Sequence, residues 1–170
     1  MLEKLKAKKA EIARLREERG ATDPILIIAG IAITLILLVG GSFAISGFIG
    51  NAHNLNAKAD LDRIATAQAA FVAENDRYAG LGRNGYTQST ALTALRNSSL
   101  GFNPTAGNAI RLYASMDGWA AITRSASGQK YVRTSDSTAI RETLPAASVL
   151  TRIGFSDAAQ ATMASDYAAL

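Results

Sequence analysis

Few side chains in this sequence can do covalent or metal chemistry. His53 is the only histidine, and cysteine is absent. Disulfides, thiolate metal sites and cysteine nucleophiles are therefore excluded, and a single imidazole is too few of the usual ligands for a transition metal. The many serines have no base to activate them beyond that one ring. Asp60 and Asp62 stand two residues apart, which on a helix turns them to different sides and prevents a carboxylate pair suited to acid–base work. No G-x-S-x-G, H-E-x-x-H, P-loop or G-x-G-x-x-G pattern occurs. His53, set among asparagines just past a long apolar run, reads as a polar side chain at an interface. The expectation is a non-enzymatic protein with no catalytic residue, no cofactor and no metal.

The element that positions everything else is the run from Ile25 to Gly50, 26 residues without a charge. At about 1.5 Å per residue, a helix needs about 20 apolar residues to cross a hydrocarbon core, so this run suffices. Soluble helices keep one polar face, and a chain of 170 residues cannot build a domain large enough to bury such a helix on all sides. A membrane-spanning helix is expected, with membrane lipid as its first partner. Thr22 or Asp23 can cap it, and Pro24 suits its first turn, where a missing N–H costs nothing. Gly30, Gly40, Gly41, Gly47 and Gly50, with Ser42 and Ser46, thread small residues through the run. Small residues let helix backbones approach closely in lipid, so Gly30, Gly40, Gly41 and Gly47 are candidate helix-packing positions.

Charge is uneven. Residues 1–20 carry seven Lys/Arg against four Glu, while the remainder is close to balanced. A basic segment beside a span is a topology signal, holding the N-terminus in the cytoplasm and the C-terminal part outside, and no direct nucleic-acid site is evident. The segment is a poor secretory signal, because it is long, contains glutamates and precedes an apolar run longer than such signals use.

Beyond Gly50 the helical pattern persists in amphipathic form. Ala57, Leu61, Ile64, Ala67, Phe71 and Tyr78 follow steps of three, four or seven, and charged residues fall between them. One helix therefore runs out of the membrane and breaks near Asn75–Gly80. Asn84-Gly85 marks a turn and Gln88–Asn97 a short helix. From Ala109 the period becomes two. Ala109–Ala114, Trp119–Arg124 and Lys130–Thr134 read as strands joined at Asp117-Gly118 and Ser127-Gly128, a three-stranded antiparallel meander. The long helix is expected to cover one face, with Ile64, Phe71, Ile110, Leu112 and Ile122 as the head core. The alanine-rich tail from Pro145 carries Ser156-Asp157 as a cap for a last helix. The fold class is α+β, a long N-terminal helix packed on a small antiparallel head. It divides into a basic cytoplasmic leader (1–20), a transmembrane helix (21–50), its amphipathic continuation (51–80), the head (81–144) and a tail (145–170).

Three stretches in this order resemble the type IV pilins and pseudopilins, above all the small cysteine-free pilin-like proteins of Gram-positive bacteria. AKADLDRIATAQAAFVAENDRYAG (Ala57–Gly80) resembles the helix that follows the span in that family. LGFNPTAGNAIRLYAS (Leu100–Ser115) is similar to the approach to the first head strand, and GWAAITRSASGQKYVRTSDS (Gly118–Ser137) to the hairpin after it. The resemblance covers most of the chain through about residue 140. It implies a leader cut after its glycine by a prepilin peptidase, often N-methylation, and self-association into a filament through the apolar helix, served by pilus assembly machinery. The glycine maps onto Gly20 and the new N-terminus onto Ala21. The family's usual glutamate at the fifth mature position is replaced here by Ile25, leaving Asp23 as the possible charge partner of the N-terminus. The alternative expectation is a single-pass protein that keeps its leader and uses the head to bind a partner outside the membrane.

Overall fold

The computed structural model describes residues 3, 4, 6, 8–12, 24–82, 85, 86, 88–97 and 102–170, with helical backbone at those among 3–12. Gly20, Ala21 and Asp23 lie outside the described residues. The chain divides into two compact units, Met1–Gly47 and Phe48–Leu170.

In the first unit the described residues from Pro24 onward are helical. They belong to α1, Pro24–Asn75, which opens on the proline where its fixed φ suits the first turn. The helix persists through Gly40-Gly41, the pair of residues with the weakest helical preference in the run.

The second unit holds the end of α1 and, among the described residues, all the strands. A short hairpin, β1 (Leu81–Gly82) with β2 (Gly85–Tyr86), leads to α2, Gln88–Asn97. The main sheet follows: β3 (Ala109–Ala114), β4 (Trp119–Arg124), β5 (Lys130–Thr134) and β6 (Ser137–Arg141), antiparallel in chain order. Two helices close the chain, α3 (Ala147–Arg152) and α4 (Asp157–Ala169). Ser156 caps α4, its hydroxyl accepting from the Ala159 N–H. The meander thus has four strands. The added β6 is an edge strand, mostly exposed, and its pairing with β5 is irregular between Val132 and Thr134.

The sheet buries both faces. On one, Ala57, Leu61, Ile64 and Ala67 of α1 meet Ile110, Leu112, Trp119, Ala121 and Tyr131, with Ala91 and Leu95 of α2 closing the cluster and Phe71 packed at its edge. On the other, Tyr113, Ala120, Ile122 and Val132 lie under Leu150, Ile153, Phe155, Ala159 and Met163. Ile122 is therefore a core residue, but of the opposite face from the one expected. The reason is the four-residue connection between β3 and β4, which pairs Ala114 with Trp119 and so sets Ala121 opposite Leu112 and Ile122 opposite Arg111. Paired residues share a face, so Ile122 joins Val132, its partner on β5, under the C-terminal helices.

The chain leaves α1 through Asp76, whose positive φ ends the helix while its N–H still reaches the Val72 carbonyl at 2.8 Å. It then folds back at Gly80, where φ is +91° and an added Cβ would fall 2.1 Å from both the Cα and the Cβ of Ala91. Gly80→Ala combines left-handed strain with a clash against helix backbone. Its unfolding free energy should drop by more than about 2 kcal/mol, measured by denaturant titration against the parent chain.

Candidate functional site

Two features could act on something outside the chain: the apolar part of α1, and the surface around the part of α1 that carries the head. In the first, the large apolar side chains from Ile25 to Ile49 remain between 47% and 76% exposed. The residues are long and apolar enough in sequence to cross a bilayer. The hydroxyls within the run are turned inward: Thr34 donates to the Gly30 carbonyl at 2.7 Å, Ser42 to Leu38 at 2.7 Å and Ser46 to Ser42 at 3.0 Å. They can therefore sit in hydrocarbon without an unmet donor. Gly30, Gly40, Gly41 and Gly47 have nothing within 4 Å of where a Cβ would stand. Gly40, Ala44 and Gly47 follow at i, i+4 and i+7 and share one side of the helix, the small-residue spacing that admits a neighbouring backbone.

In the second, three polar side chains of α1 turn toward the head and each holds a different piece of it. Asn54 Oδ1 accepts from the hydroxyls of Ser125, at 2.8 Å, and Ser127, at 2.6 Å, at the β4–β5 turn. Asp60, fully buried, accepts from the Thr105 N–H and hydroxyl at 2.9 Å each, from Asn108 Nδ2 at 2.8 Å and from Arg63 at 3.4 Å. Gln68, also fully buried, binds both backbone groups of Ala79, accepting its N–H at 2.8 Å and donating to its carbonyl at 3.3 Å. Asn108 links the first two by accepting from the Ala126 N–H at 3.3 Å. The result is a continuous polar clamp from α1 through the loop before β3 to the hairpin tip. Asp62, on the outer side of the helix, pairs with Arg133 of β5.

Two open clefts flank this part of α1. One, of about 390 Å³, runs between Ala65, Ala69 and Val72 and the side chains of Arg133, Ser135 and Thr138. The other, of about 500 Å³, is lined by Asn51, Asn54, Leu55, Lys58, Tyr131 and Glu142. There Lys58 Nζ lies 4.8 Å from the centre of the Tyr131 ring. Burial, then the nearby charge of Glu142, raises the Tyr131 phenol above its ordinary value.

Sequence reasoning found the small residues of the apolar run and the side of α1 that meets the sheet. Ile64, Ile110 and Leu112 come together in one cluster. That reading does not include the clamp: it places Asp60 among the charges between the apolar positions and gives Asn54 and Gln68 no role. For Asp60 and Gln68 the signal is positional: 57, 60, 61, 64, 67 and 68 form the buried side of α1, so a polar residue there needs a partner. His53 is half-buried, and no group of three or more potential metal ligands occurs among the described residues. No protein family, no characterised protein and no solved structure matches this chain.

Removing the Asp60 carboxylate strands the donors of Thr105 and Asn108 in a buried site. Asp60→Ala should lower head stability by about 2–4 kcal/mol in denaturant titration, and Arg63→Ala, whose side chain is largely exposed, by less than about 1 kcal/mol.

Proposed function

We propose that this chain is the structural subunit of a type IV pilus-like or pseudopilus filament. In this reading it is inserted in the cytoplasmic membrane with its N-terminus inside and its head outside. Prepilin peptidase cuts after Gly20, and the mature chain, beginning at Ala21, assembles through the apolar half of α1. Burying that half against neighbouring copies replaces lipid contact with close helix packing, which the small residues permit. The observation that carries the reading is the pairing, on one helix, of an exposed apolar half with a second half fixed into a small head. Such a subunit can exchange lipid for copies of itself without rearranging the head. Asp23 is then the acid nearest the new N-terminus, in place of the acid that Ile25 lacks. A second reading, a permanently anchored protein whose head binds a partner, is supported by the two open clefts beside α1.

The absence of cysteine makes cross-linking a direct test. A single cysteine introduced as Ala44→Cys lies on the small side of the helix, and one introduced as Ser42→Cys lies on the opposite side. Oxidation in native membranes should link Ala44→Cys subunits in preference to Ser42→Cys subunits. Gly40→Leu in the Ala44→Cys background should reduce that product about tenfold, the effect of losing about 1–2 kcal/mol of helix packing. Equal or absent linking at the two positions would favour the anchored reading.

A further inference from the structure

The cleft lined by Asn51, Asn54, Leu55, Lys58, Tyr131 and Glu142 carries a chemistry that neither filament assembly nor the clamp uses. It begins one residue past Gly50, where the uncharged run ends. At about 1.5 Å per residue, Asn51–Leu55 rise through a polar headgroup layer that is about 5–8 Å deep on each side of a bilayer. Lys58 stands one turn further, within reach of that layer through its flexible stem.

The groups are arranged as donors beside an acceptor. The Lys58 ammonium rests over the Tyr131 ring and has no carboxylate within 4 Å among the described residues. Asn54 has its Oδ1 engaged by Ser125 and Ser127, and its Nδ2 has no acceptor among the described residues. Asn51 is exposed and adds a second amide. On the other wall Glu142 is exposed, and its backbone carbonyl is held by the Tyr167 hydroxyl, which fixes the segment that bears the carboxylate. Leu55 is 66% exposed beside these polar groups.

We infer that this cleft binds the headgroup of an aminophospholipid, with its phosphate on Lys58 and the two asparagine amides, its primary amine on Glu142 and its glyceryl end along Leu55. The shared chemistry is a phosphodiester with a primary amine a few bonds away. A phosphate alone leaves Glu142 facing it unpaired, and a quaternary amine cannot donate a hydrogen bond to that carboxylate. The inference rests on the membrane reading given above.

The test reconstitutes the full chain into nanodiscs of equal parts phosphatidylethanolamine, phosphatidylcholine and phosphatidylglycerol and counts retained lipids by native mass spectrometry. Phosphatidylethanolamine should be retained about threefold over the other two, the effect of one exposed ion pair. Glu142→Gln should erase that preference, and Lys58→Gln should reduce retention of all three. Asn51→Asp, on an exposed helix position away from the clamp, should repel the phosphate and act like Lys58→Gln without altering thermal stability. Equal retention of the three lipids, or a preference unmoved by these variants, overturns the inference. A preference for phosphatidylglycerol overturns the role of Glu142, and displacement of lipid by soluble phosphoethanolamine at matched concentration overturns the lipid as its source. Failure of the chain to insert is seen first, as no recovery with the discs, and counts against the membrane reading itself.

Discussion

An apolar helix without cover is a constraint that the surroundings must satisfy. The side chains from Ile25 to Ile49 expose aliphatic and aromatic surface that water disfavours at about 25 cal/mol per Å². Lipid or other copies of the same surface can supply the cover, and the inward-turned hydroxyls of Thr34, Ser42 and Ser46 suit both. The other constraint follows from the first. If half of α1 is committed outside the head, the other half must hold the head by itself.

It does so through two kinds of contact on one side of the helix. The apolar kind, Ala57, Leu61, Ile64 and Ala67 against the sheet, is the larger source of stability and has little directional preference. The polar kind is directional. Asp60 has four donors around its two oxygens, and Gln68 takes both backbone groups of a single residue. Buried polar groups of this sort add modest net stability when paired and cost much when unpaired, so they penalise a shifted docking of helix on sheet. Asn54, Asp60 and Gln68 fall at the start, middle and end of the docked segment and together fix its register.

Much of the fold was legible from local signals. The three strands at Ala109–Ala114, Trp119–Arg124 and Lys130–Thr134, and the helix at Gln88–Asn97, have strong periods and sharp turn residues at their ends. β6 was not legible, because an edge strand with one irregular pairing has no need of alternating apolar residues. The second core face was hidden for a different reason. Its cover, α3, α4 and the residues that join them, is rich in alanine and short polar residues, with Leu150, Ile153, Phe155 and Met163 as its large buried side chains. Ile122 went to the wrong face because strand pairing depends on loop length, which a list of apolar residues does not encode. The clamp was unreadable from residue type, since an aspartate on a helix is ordinarily solvated. Only its place among Ala57, Leu61 and Ile64 distinguishes it.

Under the filament reading, this chain matures into a subunit whose apolar helix begins at a newly made N-terminus. Intact mass and N-terminal sequence of the protein recovered from its native membranes test this most directly. The filament reading requires a chain that starts at Ala21 and lacks the mass of the first twenty residues. A chain that still starts at Met1 would contradict it and leave a permanently anchored head.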